Sequence, residues 1–336
     1  MKTVAKPDRS NIEVIYTYID RFSNLCYCLA MTNTVAIDIG GTNFSVAVFA
    51  GSSLIGKLSR ATDREAGPTG MLRQIEEMLQ LLSPGAVFHG CGIGFGGPVD
   101  FRTQKVVTST HVRGWDGFDL VSEVQTRFRI PAVMDRDSML GALGEGVFGA
   151  GRGFRPMFYI TLSTGIGGGL LTVDGLYRGA DSFACELGHH TIVPNGPDCL
   201  CGSKGCLERM CSGLWLERDH GRPAQELFQN PEFVSRYVVH LAQGLKSCFM
   251  FLNPARIVIG GGISQAADLL FIPLRKELDR QMTPWWRAKV DVVPAALAGE
   301  SVLWGAFALA SELIYHLPPE NLARVSGGAA LPLIRD

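Results

Sequence analysis

A regular hydrophobic pattern begins at Thr34. From there the chain consists of short apolar runs joined by glycine turns. Residues 35–39 form one run, interrupted only by Asp38, and residues 44–49 form a second. The sequence Gly-Gly-Thr at residues 40–42 separates the two runs. Two short apolar runs on either side of a glycine turn predict a strand, a tight turn and a second strand.

The same plan returns later in the chain with different residues. A buried strand is predicted at residues 158–162, a glycine-rich turn at 163–169 and a further strand at 170–173. Asp174-Gly175 then closes a hairpin, and the strand pattern resumes at 176–178. This repetition predicts a duplicated α/β unit that binds a nucleotide between its two copies.

Helical patterns lie between these strands. Apolar residues with helical spacing occur in two segments, one with Met71, Leu72, Ile75, Met78, Leu79 and Leu82, the other with Val234, Tyr237, Val238, Leu241, Leu245, Cys248, Phe249 and Leu252. A short apolar strand at residues 257–259 runs into three glycines, and residues 302–315 form a last apolar helix. The chain is therefore predicted to have an α/β fold.

Composition and charge exclude several classes of protein. With 336 residues, the chain is long enough for two ordinary domains or for one two-lobed unit. Its net charge of -1 shows no excess of positive charge, which a protein that binds nucleic acid or an anionic membrane usually has. Residues 12–31 are apolar but carry four charged or polar interruptions, so they fail as a transmembrane span and as a signal-peptide core. We expect a soluble, cytoplasmic protein whose nine cysteines are thiols or metal ligands.

The ends of the chain are predicted to stand apart from the fold. Met31 is a candidate for the true translation start, which would make the preceding residues a misread extension; a short docked helix is the alternative. The tail after Pro318 is expected to be loosely ordered. The predicted division is an extension at 1–31, a small lobe of 32–134 plus 303–316, a large lobe of 135–302 that carries the metal site, and a tail at 317–336.

The first glycine turn has the chemistry of a phosphate-binding loop. The N–H groups of Gly40 and Gly41 can approach phosphate oxygens closely, and the Thr42 hydroxyl can bond the same oxygens. Asp38, near the end of the preceding strand, could hold magnesium through water. A plain hairpin in which Asp38 caps the turn is the alternative that an isolated motif of this kind leaves open.

A second glycine loop strengthens the phosphate-binding interpretation. It follows a buried strand and combines the Thr164 hydroxyl with Gly165 and Gly167, which suits a triphosphate held from two sides. Neither loop contains the Gly-Lys-Ser/Thr sequence of a P-loop. Both loops lead into a strand, whereas the glycines of a dinucleotide-binding turn open a helix.

A third glycine cluster ends the predicted strand at residues 257–259 and precedes a helix that starts near Gln265. Small residues at Gly261 and Gly262 could admit the adenine and ribose of a nucleotide. The alternative is a crowded strand-to-helix turn that binds no ligand. The presence of the other two loops favours the nucleotide.

Asp135 and Asp137 flank Arg136 at the junction between a predicted strand at residues 132–134 and a helix that runs to Val147. A carboxylate at such a junction faces the crevice outside the strand ends, where ligands bind in sheets of this kind. It could accept a proton from an attacking hydroxyl. The alternative is a helix N-cap, a position that Asp fills well, and one of the two carboxylates could serve in that way, paired with Arg136.

The densest set of candidate metal ligands lies within residues 186–208. His189, Cys199, Cys201 and Cys206 can complete a tetrahedral zinc site, with glycines and prolines between them to supply the turns. Because four protein ligands close such a site, its role would be structural. The glutamates at the two ends of the segment would then project into the crevice as hydroxyl acceptors. Buried free thiols are the alternative.

Four motifs together resemble the ROK family of bacterial sugar kinases and sugar-responsive repressors. They lie at residues 38–42, 94–100, 163–169 and 186–208. The last motif is highly specific to that family, and the resemblance extends from Thr34 to about Leu313. It implies an actin-like (ribonuclease H-like) ATPase fold of two lobes, with the active site between the lobes and an inserted zinc-binding loop.

The resemblance also implies a role for individual residues. Asp137 resembles the catalytic base. The positions that resemble sugar contacts are Gly97, His111, Glu186, His189 and Glu208. The positions that resemble zinc ligands are His189, Cys199, Cys201 and Cys206, so His189 would use one ring nitrogen for zinc and the other for the sugar. The nucleotide contacts expected from the three glycine clusters are Asp38, Gly40, Gly41, Thr42, Thr164, Gly165, Gly167, Gly261 and Gly262.

The chain departs from the family pattern across the predicted cleft. Arg136 and Met139 stand where the family usually has asparagine, His111 where asparagine is common, and Gly96 where proline is common. Arg136 is near the presumed sugar hydroxyls and is added to the candidate sugar contacts. An arginine presents a rigid fork of donors where an amide offers a donor and an acceptor, so the identity of the sugar is left open.

The activity that the resemblance implies is ATP-dependent phosphorylation of glucose or a related hexose or N-acetylhexosamine, at the 6-hydroxyl. Mg²⁺ would accompany ATP, zinc would be structural, and the expected assembly is a homodimer without nucleic-acid or membrane partners. One alternative is a sugar-responsive transcription regulator, although residues 1–31 show neither a helix-turn-helix pattern nor a basic stripe. Another is a sugar binder without catalysis. Polyphosphate is left open as a second phosphoryl donor.

Overall fold

The framework of the protein is a pair of five-stranded sheets with the same internal plan. The residues that the computed structural model describes are 32–63, 65–109, 114–287 and 289–316. The predicted extension at 1–31, the candidate residue His111 and the predicted tail at 317–336 lie outside the described residues.

The first sheet is built around the strand that the first apolar run predicts. In spatial order its strands are β3 (Ser53–Ala61), β2 (Asn43–Ala50), β1 (Asn33–Ile39), β4 (Gly90–Phe95) and β7 (Ala132–Arg136). The strands β1, β2 and β3 are joined as antiparallel hairpins, whereas β4 and β7 run parallel to β1. A small antiparallel ribbon of β5 (Val99–Asp100) and β6 (Lys105–Val106) lies between β4 and β7 in the chain.

The second sheet repeats this topology. In spatial order its strands are β10 (Gly175–Leu176), β9 (Ile166–Thr172), β8 (Met157–Leu162), β11 (Arg256–Gly260) and β12 (Val292–Pro294). Again three strands are antiparallel neighbours, and two further strands run parallel to the first of them. The predicted duplication of an α/β unit is therefore confirmed. The strand predicted at residues 176–178 was too long, because Arg178 leaves the sheet to form an ion pair with Asp135.

The helices of the described chain cover the sheets and join the two units. They are α1 (Gly67–Leu82), α2 (Leu120–Phe128), α3 (Asp137–Val147), α4 (Leu207–Cys211), α5 (Gly213–His220), α6 (Ala224–Leu227), α7 (Pro231–Leu252), α8 (Asp268–Gln281), α9 (Pro284–Arg287) and α10 (Ser301–His316), with 3₁₀ turns at Leu187–His189 and Gly262–Ala266. The apolar residues that predicted α1 and α7 face the core, as expected for amphipathic helices. None of the described helices is long and apolar enough to cross a membrane.

The helix predicted near Gln265 begins later than its sequence pattern suggests. A 3₁₀ turn at Gly262–Ala266 comes first, and α8 starts only at Asp268. Between them Ala267 has a positive φ of 49° and a ψ of −123°, which separates the two helical segments. The prediction of the helix is therefore right and its first residue is wrong.

The helices α3 and α10 pack against each other between the two sheets. A Cβ at Gly305 would lie 1.8 Å from the carbonyl oxygen of Leu140, and one at Gly144 would lie 2.1 Å from that of Ser301. These positions must be glycine because the helix backbones are in contact. The helix α3 is buried from Ser138 to Gly146, so the packing of the core fixes the position of its first residue, Asp137.

Candidate active site and metal centre

Asp137 is the first residue of α3 and lies where β1 and β4 end. Its Oδ1 accepts a hydrogen bond of 2.5 Å from the backbone N–H of Ser138. A Cβ at Gly96 would lie 3.4 Å from Asp137 Oδ2 and 3.1 Å from the carbonyl oxygen of Ile39. The candidate base therefore shares one small region with the end of the first strand and the turn that follows β4.

The helix α3 is not capped in the way that the sequence suggested. Its N-cap position is held by Arg136, whose side chain makes no capping hydrogen bond. Asp135 Oδ1 accepts a 2.8 Å hydrogen bond from the backbone N–H of Arg136, but neither aspartate forms an ion pair with the Arg136 guanidinium. Asp135 pairs with Arg178, and Arg136 pairs with Glu186. The alternative of an aspartate N-cap paired with Arg136 is therefore not found: Asp135 and Arg136 form ion pairs with residues 43 and 50 positions away in the chain.

The carboxyl groups of Asp137 and Asp38 are both harder to ionise than usual. Desolvation raises the pKa of Asp137 to about 6, against opposing effects of the Ser138 N–H and the positive charge of Arg136. Desolvation also raises the pKa of Asp38 to about 7, and the negative charge of Asp137 adds to this shift. The mutual effect shows that the two carboxylates, one from β1 and one from α3, share one electrostatic environment.

The first glycine turn is held by bonds that do not involve the Asp38 side chain. The N–H of Gly40 donates to the carbonyl oxygen of Asn43 at 3.0 Å, and Thr62 Oγ1 donates to the carbonyl oxygen of Gly40 at 2.8 Å. Within the described part of the chain no hydrogen bond to the Asp38 carboxylate is found. Asp38 therefore does not cap the turn, and its oxygens are available to a ligand.

The two glycine loops meet through their threonines. The hydroxyl oxygens of Thr42 and Thr164 lie 3.2 Å apart, although the residues are separated by 122 positions in the chain. Next to Thr164, a Cβ at Gly165 would lie 2.8 Å from Glu208 Oε2. The same Oε2 accepts a hydrogen bond of 2.8 Å from the N–H of Ile166. The second loop thus contacts the first loop on one side and Glu208 on the other.

The remaining candidate glycines have different reasons to be small. A Cβ at Gly167 would lie 2.8 Å from the Cβ of Ser138, so this glycine lets β9 pack on the start of α3. Gly261 has φ of 85° and would place a Cβ 2.3 Å from the carbonyl oxygen of Leu162, as expected for a crowded turn. A Cβ at Gly262 would meet no atom of the described residues within 4 Å, so open space adjoins the chain there.

Arg136 joins the first sheet to the segment that carries Glu186. Its Nη1 donates to Glu186 Oε1, and its Nη2 donates to the carbonyl oxygen of Ala184. The side chain of Arg136 is 4% exposed and that of Glu186 is 40% exposed. Gly97, two residues after β4, has an N–H that donates to the carbonyl oxygen of Phe95 at 3.0 Å.

Two buried polar clusters near the site contain residues, Arg178 and Glu145, that the sequence did not single out. Asp135, 2% exposed, accepts a 2.8 Å hydrogen bond from Nε of Arg178, and that guanidinium lies 3.6 Å from the ring centroid of Phe101. Glu145 in α3 accepts from Ser301 Oγ at 2.7 Å and from the N–H of Leu297 at 3.0 Å. The sequence around Glu145 consists of small and apolar residues, so Glu145 could have been predicted to be buried. No feature of the neighbouring sequence predicts the role of Arg178.

The four candidate zinc ligands come together as the sequence predicts. Their ligand atoms all lie within 4.8 Å of one another. Nδ1 of His189 is 4.0 Å from Sγ of Cys199, and Sγ of Cys201 is 3.6 Å from Sγ of Cys206. A tetrahedral zinc with the usual bond lengths requires ligand separations of about 3.5 to 3.8 Å.

This donor set of one imidazole and three thiols fits structural zinc. Because Nδ1 of His189 faces the thiols, Nε2 of the exposed ring stays available to a second partner. The other cysteines of the described chain, which are Cys91, Cys185, Cys211 and Cys248, lie outside the cluster.

Comparisons with known proteins agree with this architecture. The sequence profile of the ROK family matches residues 34–313. A glucokinase from Thermotoga maritima is 31% identical over 309 residues, covering 83% of this chain and 98% of that protein. A xylose repressor from Bacillus spizizenii is 28% identical over 236 residues, covering 66% of this chain and 61% of the repressor.

A crystal structure with the same fold has been solved with ligands. It is a ROK family glucokinase from Streptomyces griseus in complex with glucose and AMPPNP, and it superposes with a TM-score of 0.74 at 28% sequence identity. The match covers 83% of this chain and 99% of that protein. The actin-like fold expected from the sequence motifs is therefore confirmed.

Proposed function

The chain belongs to the ROK family and is a sugar kinase, and on that premise we propose that it transfers the γ-phosphoryl group of ATP to the 6-hydroxyl of a hexose. Glucose is the first candidate acceptor, because the similar glucokinase from Streptomyces griseus was solved with glucose. Related hexoses and N-acetylhexosamines are the other candidates, since Arg136 changes the surroundings of Glu186.

The proposal depends mainly on one observation. A carboxylate with a raised pKa, that of Asp137, lies at the same cleft as the two glycine loops. Asp137 has a pKa raised to about 6, which suits a general base that works near neutral pH. The hydroxyls of Thr42 and Thr164 lie 3.2 Å apart, so the two loops border one region where a single triphosphate could contact both. Asp38 supplies a second carboxylate without a hydrogen-bond partner of its own within the described chain.

In the proposed reaction, the sugar hydroxyl oxygen attacks the γ-phosphorus while the bond from that phosphorus to the β,γ-bridging oxygen breaks. Asp137 accepts the hydroxyl proton, and ADP is the leaving group. Glu186, His189, Glu208 and Gly97 orient the sugar ring. Because the transition state of phosphoryl transfer is loose, catalysis depends mainly on this positioning and on the stabilisation of charge.

Two metal ions fit the residues that are present. Mg²⁺ bound with ATP would supply charge neutralisation at the phosphates, with Asp38 as the residue that holds it through water. Zinc would be held by His189, Cys199, Cys201 and Cys206. Its role would be to fix the tautomer of His189 and the position of Glu208, which follows Cys206 by two residues.

The decisive experiment is an assay of ADP release with a panel of acceptors. The panel contains glucose, mannose, fructose, N-acetylglucosamine and N-acetylmannosamine, each with ATP and with polyphosphate as donor. We expect ATP-dependent turnover with at least one hexose, and product analysis by NMR should place the phosphate on carbon six. Hexose binding without turnover on any acceptor would instead identify a sugar sensor.

We also propose that the protein works as a homodimer, on the basis of the family resemblance alone. Light scattering coupled to gel filtration measures the mass in solution. A mass equal to that of one 36.4 kDa chain would contradict this proposal without affecting the proposed reaction.

A further inference from the structure

Arg136 lies deeper in the protein than the glutamate with which it pairs. Its side chain is 4% exposed, whereas that of Glu186 is 40% exposed. A ligand that enters from solvent therefore meets Glu186 before it reaches the guanidinium. This order matters, because sequence alone suggested that Arg136 contacts the sugar directly.

The planar guanidinium of Arg136 donates both of its hydrogen bonds to one short segment of the chain. Nη1 donates to Glu186 Oε1 and Nη2 donates to the carbonyl oxygen of Ala184, two residues earlier. Such a fork fixes both a side-chain oxygen and a backbone oxygen, which a point charge cannot do. The two bonds therefore select one position of the Glu186 carboxylate and hold the backbone that leads to it.

A third nitrogen of the guanidinium, Nε, makes no hydrogen bond to the segment that carries Glu186. Nε of Arg136 is buried and has no hydrogen-bond partner among the residues that the structure describes. All the hydrogen bonds that the guanidinium makes within the described chain thus go to residues 184–186. Any direct bond from Arg136 to a sugar would have to use Nε or the second N–H of Nη1 or Nη2, on a side chain that is only 4% exposed.

The support behind Arg136 is rigid. Its backbone ends β7 and precedes α3, which is buried from Ser138 to Gly146. The preceding residue, Asp135, holds the other end of the same segment through a 2.8 Å ion pair with Arg178. Two consecutive residues of β7, Asp135 and Arg136, therefore form ion pairs with the two ends of segment 178–186.

We propose that Arg136 is a positioning residue for the sugar, which acts by orienting Glu186 and does not itself touch the substrate. The inference rests on the proposed function, because it takes Glu186 as a sugar contact. It requires that loss of Arg136 weakens sugar binding only while Glu186 is present. A direct contact would give the opposite result, with the same loss whether or not Glu186 is there.

A double-variant cycle tests the proposal. The dissociation constant of the best hexose acceptor is measured by calorimetry without nucleotide for the wild type, Arg136→Gln, Glu186→Ala and the double variant. We expect Arg136→Gln to weaken binding about tenfold in the presence of Glu186, as for a lost bond to a charged group, and less than about twofold in the Glu186→Ala background. In kinetics, KM should rise by a similar factor while kcat changes little.

Two results would overturn the proposal. Equal weakening by Arg136→Gln in both backgrounds would mean that the guanidinium binds the sugar itself. Unchanged affinity in the presence of Glu186 would mean that Arg136 does not position it. If the wild type binds a hexose but transfers no phosphoryl group to it, the proposed function fails, whereas the cycle still decides the role of Arg136.

Further variants provide the controls. Arg136→Lys keeps the charge but lacks the fork, so we expect an intermediate weakening, and this variant decides the test if Arg136→Gln does not fold. Wild-type affinity in Arg136→Lys would count against positioning by the fork. Arg60→Gln removes an arginine that pairs at 2.8 Å with the exposed Glu77 of α1, and it should leave the dissociation constant unchanged.

Discussion

The residue on which the proposed chemistry depends is Asp137. Its carboxyl group is desolvated, stands beside Asp38 and lies next to the paired charges of Arg136 and Glu186. Burial favours the protonated form, and the Ser138 N–H and Arg136 favour the ionised form. The balance leaves a base that is ionised at neutral pH and still basic enough to accept a proton from a hydroxyl.

The first prediction concerns the removal of this base. Asp137→Asn should reduce kcat by about 10²- to 10⁴-fold, the usual contribution of a positioned general base, while the hexose dissociation constant changes little. Steady-state kinetics and calorimetry measure the two quantities. Asp174→Asn, at the exposed turn between β9 and β10, is the matched control and should keep wild-type kinetics. Near-normal turnover in Asp137→Asn would remove Asp137 from the proposed mechanism.

The second prediction is a pH dependence of kcat/KM for the sugar at saturating magnesium and ATP. The base acts in its ionised form, and protonation below its pKa of about 6 removes that form. The value of kcat/KM should therefore be independent of pH near pH 7 and fall by about tenfold per pH unit well below pH 6. A profile that stays level down to pH 5 would contradict the assignment of the acidic limb to Asp137.

At the scale of elements, the loop between the 3₁₀ turn Leu187–His189 and α4 contains the candidate metal ligands. Most of its residues are exposed, and one candidate ligand, Cys206, is the N-cap residue of α4, two residues before Glu208. A metal that joins both ends of the loop can hold Glu208 against the second glycine loop. The zinc site and the sugar site are therefore expected to be coupled.

The third prediction follows from this coupling. Cys206→Ser should abolish stoichiometric zinc, measured by atomic emission, and raise the sugar KM by about tenfold or more, as for other changes that disturb the support of a metal site. Cys248→Ala, a buried cysteine of α7 outside the cluster, should retain both zinc and KM. Loss of zinc with an unchanged KM would show that the loop keeps its geometry without metal.

The contact between α3 and α10 depends on one buried carboxylate. Glu145 is fully buried and accepts hydrogen bonds from the N–H groups of Ala150, Ala296 and Leu297 and from Ser301 Oγ. These bonds connect the last turn of α3 to the start of α10. They also satisfy the carboxylate, which would otherwise be costly to bury.

The fourth prediction is that Glu145→Gln destabilises the fold. The amide NH₂ would face N–H donors, so the free energy of unfolding should fall by about 3 kcal/mol. Calorimetry should record this as a decrease of several degrees in melting temperature. Glu77→Gln on the surface of α1, where the side chain is 53% exposed, should change the melting temperature little. An unchanged melting temperature in Glu145→Gln would show that the network is not important for stability.

At the scale of the whole molecule, the two sheets are linked at several points around one cleft. Arg136 and Asp135 of the first sheet bond to residues 178–186, and Lys57 of β3 bonds to Glu300 at 2.8 Å. On the cleft itself, the two glycine loops are linked by the hydroxyl pair of Thr42 and Thr164. A bound sugar that contacts Gly97 of the predicted small lobe and Glu208 of the predicted large lobe would add bonds between the lobes.

The fifth prediction is that an accepted hexose compacts the protein. Small-angle X-ray scattering should give a smaller radius of gyration with the hexose than with glycerol, because closure of the lobes excludes water from the reacting groups. Asp137→Asn should compact in the same way, since the variant keeps the sugar contacts. An identical radius with and without sugar would mean that binding occurs in a cleft that is already closed.

The sequence by itself determined the elements and the chemistry that is local in the chain. Apolar runs and glycine turns are set by neighbouring residues, so they predicted the two copies of the strand–turn–strand unit. The candidate zinc ligands fall within residues 189–206, a segment short enough for turns alone to bring them together. The start of α8 and the end of β10 were misjudged. Ala267 has a positive φ that interrupts the helical segment, and Arg178 pairs with Asp135, which is 43 residues away in the chain.

Only the tertiary structure decided which charges face each other. Arg136 and Glu186 are 50 residues apart, and Glu145 and Ser301 are 156 apart, so their pairing depends on how the sheets and helices pack. The raised pKa values of Asp38 and Asp137 likewise require burial and proximity that no spacing reveals. Residue types and turns follow from short-range conformational preferences, whereas the electrostatics of the cleft follow from the packing of distant segments around α3.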